Sequence, residues 1–415
     1  MRKQLILLLT ILNISIAWSQ QTQQSITINS NDGQNETIDL PVGMLNETDS
    51  LYLDWISKNY INQSDNCVSA SSSPVLSDSV YIKRLQRIPA IIELPYNNVV
   101  KGFIEAYSTR LRQKVAFMLS ANNFYMPIFE EALDIYGIPL ELKYLPVIES
   151  GLNPMAVSRQ GATGLWQFML RTGQIYGLKV NSLVDERKDP VKSTFAAARY
   201  LKDLYDIYHD WTLVLAAYNC GPGNVNKAIR RAGGETDYWS LYNYLPRETR
   251  GYVPAFIAAN YIMTYYCEHN IAPMEMRMPE GSDTIHISRN LNLNQIAEVC
   301  KINIDELRAL NPQFRKDIIP GNEKDYVLRL PNDMLGRFLE HEDSIYNHKT
   351  SIYNSRRSVA AIKELPASKA KYHRIRNGET LGSIARRYGV SINQLKRLNG
   401  IKGSNIQAGK SIRIR

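Results

Sequence analysis

Apolar residues recur at helical spacing between residues 80 and 275. Pro127 opens one such stretch, whose apolar side chains share one face, and Gly137 closes it. Asp189 followed by Pro190 is typical of an N-cap with proline in the first helical turn, where proline costs no hydrogen bond. No convincing run of alternating apolar and polar residues interrupts this region. The pattern therefore predicts an all-helical domain of about 190 residues, a size that one core can serve.

The remainder of the chain contains a diverged repeat. Eight apolar or asparagine positions in residues 293–311 match eight positions in residues 381–399 at a constant offset of 88 residues, without a gap. Each copy predicts a small βααβ unit, because a strand pattern flanks two short helices with polar caps. We expect these units at 283–332 and 372–415, joined by a polar linker at 333–371. The fold class predicted for the chain is mainly α, with the two small units following the helical domain.

The N-terminus predicts export. Arg2 and Lys3 precede a short apolar run that ends in small residues, which is the layout of a signal peptide over residues 1–19. The run is shorter than the roughly 20 residues of a membrane span, although a retained N-terminal anchor is the alternative. Residues 20–79 are rich in Ser, Asn, Gln and Thr and predict a flexible polar leader. The first cysteine is Cys67, so we expect no lipid anchor and a periplasmic or cell-envelope location.

Composition narrows the class of partner. Hydrophobic residues make up 44% of the chain and charged residues 21%, which is typical of a folded protein. The net charge of +9 favours an acidic polymer as partner: nucleic acid, anionic lipid, or a cell-wall polymer with carboxylates. Export argues against nucleic acid and favours the wall polymer.

The cysteines and histidines predict neither a zinc site nor a disulfide framework, because the four cysteines are widely scattered and the six histidines lack ligand spacing. We expect no metal and no cofactor. Isolated thiols are the favoured interpretation, and one disulfide, from Cys220 to Cys267, is the alternative.

The first of four clusters with candidate chemistry contains Glu149. This carboxylate follows an apolar tetrad at the end of a predicted helix, and Asn153 with Pro154 forces the chain to turn. Apolar neighbours desolvate a carboxyl group and favour its neutral form, which suits it to donate a proton near neutral pH. A solvated glutamate at a helix end is the alternative for this residue alone.

Three further clusters follow in the same domain. In the second, small residues surround Trp166 and Gln167, so the backbone can approach a ligand or a neighbouring helix closely. In the third, a helix ends at Tyr218 and Asn219 before a Gly-Pro-Gly turn, which either presents two polar tips or is simply a capped junction. The fourth contains Tyr252, whose hydroxyl could face the acid, or the cluster could be an ordinary loop.

In this order the four clusters resemble the lysozyme-like soluble lytic transglycosylases, most closely the D type, which carries LysM modules. The resemblance covers about residues 85 to 275 and the C-terminal repeats. It implies a lysozyme-like helical lobe with a deep groove and Glu149 as the single catalytic acid and base. The residues implied to line the glycan groove are Ser150, Gln167, Tyr218, Asn219 and Tyr252, the last of them touching the catalytic carboxylate.

The resemblance also implies a reaction. Ordinary glycosidases use two carboxylates, whereas the other three clusters contain no aspartate and only one further carboxylate, Glu248. The family instead cleaves the bond between N-acetylmuramic acid and N-acetylglucosamine in peptidoglycan and leaves 1,6-anhydro ends. A goose-type lysozyme that uses water is one alternative, and a catalytically inert wall-binding protein is another. The expected partner is the peptidoglycan glycan strand, bound by a monomer.

The second repeat copy resembles a LysM module, through the segments Arg376-Asn377-Gly378-Glu379-Thr380-Leu381 and Leu398-Asn399-Gly400. The resemblance implies a shallow groove for N-acetylglucosamine-containing chains. The implied contacts are Gly378, Thr380, Leu381, Asn399 and Ile401. In the first copy Asn290, Leu291 and Asn292 replace the equivalent Gly378, Glu379 and Thr380, so we expect that copy to keep the fold and to lose the binding.

Overall fold

The computed structural model describes residues 25–29, 35–41, 44, 67, 70–274, 281–354 and 372–414. The predicted signal peptide therefore lies outside the described residues. Among the described residues, no helix combines the length and the apolar character needed to cross a bilayer.

Short and long helices build the predicted helical domain. They are α1 (Asp78–Leu85), α2 (Asn98–Ser108), α3 (Arg112–Ile135), α4 (Leu145–Ser150), α5 (Leu170–Ile175), α6 (Pro190–Tyr208), α7 (Trp211–Cys220), α8 (Pro222–Arg231), α9 (Tyr238–Leu241), α10 (Arg247–Arg250) and α11 (Tyr252–Thr264). Short 3₁₀ turns occur at Leu140–Tyr144, Tyr242–Tyr244 and Cys267–His269. The predicted N-cap at Asp189 is present, because its side chain accepts hydrogen bonds from the amides of Val191 and Lys192.

Helix α11 lies at the centre of this domain. Every residue from Tyr252 to Met263 is buried, which is the behaviour of a helix that is apolar on all sides. It packs against α2, α4 and α7, so its first residue lies beside the C-terminal end of the short helix α4. This burial makes α11 a rigid support for side chains at that junction.

The predicted flexible leader is in part a packed hairpin. Strands β1 (Ser25–Asn29) and β2 (Asn35–Asp39) pair antiparallel, and Ile26, Ile28 and Ile38 join the hydrophobic core of the helical domain. The polar composition of the leader hid this alternation of isoleucines, so the expectation of a flexible segment is wrong for these residues.

The cysteine pairing also differs from both sequence interpretations. Cys67, from the leader, forms a disulfide with Cys267, whereas Cys220 and Cys300 are free. A segment without helical pattern cannot be placed from sequence, so its cysteine could not be paired by spacing. Arg112 reinforces the same contact, because its guanidinium donates to the carbonyl oxygens of Ala70 at 2.6 Å and Asn270 at 2.6 Å.

The first repeat copy is larger than predicted. It contains β3 (Ser282–Ile287), β4 (Asn290–Asn292), α12 (Leu293–Cys300), α13 (Ile304–Leu310), a 3₁₀ turn at Arg315–Asp317, β5 (Ile318–Pro320), β6 (Tyr326–Pro331), α14 (Asn332–Glu340), α15 (Glu342–Asn347) and α16 (Thr350–Tyr353). Strand β3 pairs with β6 and β4 with β5, both antiparallel. The predicted linker at 333–371 is wrong for residues up to 354, because Phe338 and Ile345 are fully buried in the core of this module.

The second copy has the predicted order of strand, helix, helix and strand. It contains β7 (Tyr372–Arg374), α17 (Leu381–Tyr388), α18 (Ile392–Asn399) and β8 (Ser411–Arg413), with β7 antiparallel to β8. The copy contacts the helical domain where Arg397 forms an ion pair with Asp203 at 2.8 Å and lies over the ring of Tyr176.

The repeat noticed in the sequence has a structural cause in one pair of asparagines. The amide nitrogen of Asn311 donates to the carbonyl oxygens of Leu307 and Arg329, and its oxygen accepts from the amide of Arg329. Asn399 makes the same three bonds in the second copy, to Leu395 and Arg413. Each asparagine therefore joins the second helix of its module to the final strand.

Candidate active site

Glu149 lies in the last turn of α4. The preceding residues Val147 and Ile148 are buried and anchor this short helix, while Gly151 ends it in the left-handed conformation at a φ of 61°. The side-chain oxygen of Asn153 then accepts a hydrogen bond from the amide of Met155 at 2.8 Å, which stabilises the turn. The result is a partly buried carboxyl group on a firmly held helix end.

Tyr252 is the hydrogen-bond partner of this carboxyl group. Its hydroxyl donates to Oε1 of Glu149, and its ring is buried at the start of α11. Burial raises the pKa of Glu149 to about 8, helped by the charge of Glu248 and opposed by the hydrogen bond from Tyr252. The acid is therefore mostly protonated at neutral pH, as a general acid has to be.

Tyr218 and Asn219 reach the same region from the end of α7. The hydroxyl of Tyr218 donates to the carbonyl oxygen of Trp166 at 2.8 Å. Burial first, and then the nearby charge of Glu149, raises the pKa of Tyr218 well above its usual range, so its hydroxyl stays neutral. The side-chain oxygen of Asn219 accepts from the hydroxyl of Thr249 at 2.8 Å, which ties α7 to the turn before Tyr252.

The loop at residues 161–168 is joined to the helix that carries Glu149, because the carbonyl oxygen of Leu165 accepts a hydrogen bond from Ser150. Its ends are joined because the amide of Thr163 donates to the carbonyl oxygen of Phe168 at 3.1 Å, and Phe168 reciprocates. Gly164 has a φ of 86°, and a Cβ there would overlap the carbonyl oxygen of Arg187. Only glycine fits this close approach of two backbones.

Gln167 occupies a strained position in this loop, with a φ of 45°. Its side-chain nitrogen donates to the carbonyl oxygens of Gly164 at 2.8 Å and Ala156 at 3.3 Å. Its side-chain oxygen is buried and accepts no hydrogen bond from the described residues. A buried acceptor without a donor is costly, so a donor group that reached this oxygen would stabilise it.

Ser150 does not line the groove as expected. Its hydroxyl is buried and donates to the carbonyl oxygens of Leu165 at 2.9 Å and Pro146 at 3.1 Å. Both bonds are internal, so the serine fastens the 161–168 loop to the helix that carries Glu149. A buried side chain oriented into the backbone can position the site, since its one proton is directed to these carbonyl oxygens.

Sequence reasoning missed Arg187 and Thr249. Arg187 stands in the run Asp185-Glu186-Arg187-Lys188-Asp189, which is typical of a solvated loop, yet its guanidinium is buried. Thr249 belonged to the fourth cluster without standing out from its neighbours. Neither residue type by itself signals a structural role, because that role depends on distant carbonyl and amide groups.

Among the described residues, no group of three or more His, Cys, Asp or Glu side chains is arranged to hold a metal ion. The polar groups near Glu149 come instead from Tyr252, which donates to its carboxyl group, and from Tyr218, whose pKa is raised in part by the charge of Glu149. This donor and acceptor set suits a neutral polymer rich in hydroxyl and amide groups.

The five residues expected to bind glycan in the second copy divide into two groups. Gly378, with a φ of 80°, and Thr380, which caps α17, are exposed, and Ile401 is half-buried. Leu381 is buried in the module core, and the amide of Asn399 is fully engaged with backbone groups. The expectation of direct glycan contact therefore does not fit these last two residues, since burial and internal bonding occupy their side chains.

Glu379 organises the exposed loop of this copy. Its carboxylate accepts hydrogen bonds from the amide of Arg376 at 2.8 Å, from Nε2 of His373 at 2.6 Å and from Arg387. These donors, the backbone amide first, lower the pKa of Glu379 to about 2. The loop that presents Gly378 and Thr380 is thus stabilised by a charged anchor.

Three parts of the chain match known domain families. Residues 127–240 match the family Transglycosylase SLT domain, residues 282–347 the family Lytic transglycosylase MltD, LysM-like domain, and residues 373–415 the LysM domain family. The chain carries a transglycosylase SLT domain followed by two LysM-type modules. Glu149, Gln167, Tyr218 and Asn219 fall inside the matched part of the SLT domain, and Tyr252 follows it.

Several known proteins are similar to this chain in sequence. The membrane-bound lytic murein transglycosylase D of Escherichia coli (strain K12) is 32% identical over 287 residues, which is 67% of this chain and 60% of that protein. The membrane-bound lytic murein transglycosylase F of Maricaulis maris is 36% identical over 137 residues, 29% of this chain and 28% of that protein. The chain thus spans about 60% of the E. coli relative and shares the D type's combination of SLT domain and LysM modules.

Proposed function

We propose that this protein is a peptidoglycan lytic transglycosylase, with Glu149 as its single catalytic acid and base. The observation that carries the proposal is the pair formed by Glu149, within the matched SLT residues, and Tyr252, which follows them. It combines a carboxyl group of pKa about 8 with a fixed hydroxyl partner, and Tyr218 lies close to it. These groups support one site that can donate a proton and hold amide-bearing sugars.

In the first step the protonated carboxyl of Glu149 donates its proton to the oxygen that links N-acetylmuramic acid to N-acetylglucosamine. The glycosidic bond breaks, and the leaving N-acetylglucosamine takes that proton as a free hydroxyl. The 2-acetamido oxygen of the muramyl residue stabilises the positive charge that develops at its C1. Tyr252 stabilises the newly formed carboxylate, because a hydrogen bond to the charged form lowers its energy.

In the second step the Glu149 carboxylate removes the proton from the C6 hydroxyl of the same muramyl residue. The C6 oxygen forms a bond to C1 and closes a 1,6-anhydro ring, so no water is consumed and Glu149 regains its proton. Gln167 serves as the acceptor for a sugar N–H group, since its buried side-chain oxygen has no donor among the described residues.

The second LysM module targets the enzyme to glycan strands through the exposed loops around Gly378, Thr380 and Ile401. A bound module raises the local concentration of the catalytic groove at its substrate. We propose that the protein is exported by residues 1–19 and acts as a monomer in the cell envelope. The relatives are named membrane-bound lytic murein transglycosylases, which supports the envelope location.

Digestion of purified peptidoglycan sacculi, followed by mass spectrometry of the fragments, tests the activity. The proposal predicts muramyl ends that lack one water relative to hydrolysed ends. Hydrated reducing ends would instead identify a lysozyme-type hydrolase. The Glu149→Gln variant is the matched control, because it removes the transferable proton and preserves the side-chain shape. Release of fragments by this variant at the wild-type rate would refute the assignment of Glu149.

A further inference from the structure

The loop between α5 and α6 belongs to two hydrophobic cores. We name residues 178–189 the joint loop. Leu183 and Val184 are buried within the core of the first LysM-like module, and Val184 forms a β-bridge with Phe314 of that module. Two backbone hydrogen bonds strengthen this contact. The amide of Asp185 donates to the carbonyl oxygen of Gln313 at 2.9 Å, and the amide of Arg315 donates to the carbonyl oxygen of Leu183 at 2.6 Å.

Buried ion pairs also hold the joint loop against the first LysM-like module. The carboxylate of Asp185 is inaccessible to solvent and receives Arg315 of the module at 2.6 Å and Arg187 of its own loop at 2.9 Å. Glu186 beside it pairs with Lys324 of the module at 3.0 Å and with Lys192 at 2.7 Å. A buried carboxylate needs such partners, because removing one leaves an uncompensated charge.

Arg187 connects Asp185 of the joint loop to the 161–168 loop. While its Nε and one terminal nitrogen hold Asp185, the other terminal nitrogen donates to the carbonyl oxygens of Gly161 at 3.0 Å and Phe168 at 3.1 Å. The planar guanidinium thus joins the carboxylate to both ends of the 161–168 loop.

The 161–168 loop lies directly behind the acid. The carbonyl oxygen of Leu165 accepts from Ser150, the residue after Glu149, and the carbonyl oxygen of Trp166 accepts from Tyr218. A shift of this loop would therefore move Gln167 relative to Glu149.

In the first LysM-like module, the segment equivalent to the expected glycan-binding loop of the second module is covered by residues of the same chain. The side-chain nitrogen of Gln295 donates to the carbonyl oxygen of His348 at 2.8 Å, and the side-chain nitrogen of Asn354 donates to Gln295 at 2.7 Å. Asn354 also donates to the carbonyl oxygen of Asn290 at 3.4 Å, within the segment that matches Gly378 to Thr380. Helices α15 and α16 thus occupy this position with the module's own chain.

We propose that the first LysM-like module is a positioning element of the catalytic unit rather than a glycan-binding module. Through Arg315, Asp185 and Arg187 it holds the 161–168 loop in the place that binding at the groove requires. This inference rests on the proposed function, because it concerns the shape of the same groove.

Kinetics of the full-length Arg315→Ala variant on short soluble glycan chains tests the inference. We expect KM to rise about five- to tenfold while kcat changes less than about twofold, because the loop orients a binding group and leaves the acid in place. Arg315→Lys should restore KM to within about twofold, since its charge still reaches Asp185. Arg308→Ala is the matched control, because Arg308 pairs with Asp305 and Asp317 within the same module. An equal rise of KM in that control would overturn the inference.

Hydrogen exchange gives a second readout that needs no activity. In Arg315→Ala the amides of residues 161–168 should exchange about tenfold faster, while those of α6 remain as in the wild type. Unchanged exchange in the 161–168 loop of the folded variant refutes the positioning role. Should Arg315→Ala fail to fold, Arg315→Gln keeps a donor toward Asp185 and carries the same measurements. The two proposals can fail separately. If the wild type cleaves no glycan but Arg315→Ala still exchanges faster at residues 161–168, the positioning role is supported and only the proposed function is refuted.

Discussion

The hydroxyl of Tyr252 donates a hydrogen bond to the carboxyl group of Glu149 across 103 residues of sequence. The two side chains meet because the buried helix α11 packs against the short helix α4. The hydrogen bond stabilises the carboxylate, whereas burial stabilises the neutral acid and has the larger effect. Their balance determines when Glu149 carries its proton.

Replacing Tyr252 by Phe should move the pH dependence of cleavage. Loss of a donor to the carboxylate raises the pKa of Glu149 further, by about one unit if the bond contributes about 1.5 kcal/mol. The alkaline limb of the rate profile should move to higher pH, and activity at neutral pH should fall about tenfold or more because the carboxylate is less well stabilised. Rates measured from pH 5 to 9 check this. Tyr265→Phe, which removes a hydrogen bond to Arg84 at the far end of α11, should leave the profile unchanged.

Stability should reveal the raised pKa of Glu149 independently of activity. The folded-state pKa of about 8 lies above the ordinary value of 4.5, so the unfolded chain ionises first as the pH rises. The folded state therefore loses stability between about pH 4.5 and pH 8. Melting curves of Glu149→Gln should show a Tm advantage over the wild type that is larger at pH 8 than at pH 4.5. The exposed control Glu235→Gln should show no such increase of its Tm advantage with pH. The same increase in this control would contradict the explanation from the raised pKa of Glu149.

Thr249 should support the groove through Asn219. Thr249→Val keeps the shape of the buried side chain but removes the donor to the half-buried oxygen of Asn219, at a cost of about 0.5–1.5 kcal/mol. We expect a lower Tm and a KM about three- to tenfold higher on soluble glycan chains, and Thr249→Ser should recover both. A Val variant that matches the wild type in both measurements would contradict this role.

Reduction of the Cys67–Cys267 disulfide should destabilise the helical domain. The bridge closes a separation of 200 residues, for which the chain-entropy estimate is at most about 5 kcal/mol. Melting with and without reductant should therefore show a clear fall in Tm for the wild type. The double variant Cys67→Ser/Cys267→Ser should melt near the reduced protein and show no response to reductant. A reductant-sensitive double variant would point to another thiol.

Deletion of residues 372–415 should separate targeting from chemistry. Sacculus binding should fall more than the turnover of short soluble chains, because the deletion removes the tether and leaves the groove. Salt should weaken binding of the full-length protein, since residues 371 to 415 contain eleven Lys or Arg against one Glu. Parallel pull-down and turnover assays check both expectations, and equal losses would argue against a tethering role.

Much of the fold could be predicted because its signals are local. The cap at Asp189, the helical apolar spacing and the pattern within each repeat copy depend on residues close in sequence, and the structure contains the cap and the helices that begin at Leu293 and Leu381. The hairpin containing Ile26 and Ile38 was missed, because its short alternation is buried only through contact with α2 and α10.

The candidate site divides in the same way. The order of the four clusters indicated Glu149 and Tyr252, and the structure brings them together. Ser150 and Asn399 were expected to face the glycan, but both are engaged by backbone groups that lie 15 and 14 residues away. Which partner a hydroxyl or an amide chooses depends on the packed neighbours, and residue type alone does not encode it.

By itself the sequence determined the helical class and the repeated module and pointed to Glu149 as the candidate acid, because periodicity, capping and motif order are properties of nearby residues. Only the tertiary structure decided that Asp185 and Arg187 are buried, that Cys67 meets Cys267 and that Tyr353 and Asn354 bond to the 290–292 segment of the first module. A run of charges is solvated unless distant groups compensate it. Arg315 of the module and the carbonyl oxygens of the 161–168 loop supply that compensation here, and folding alone brings them within reach.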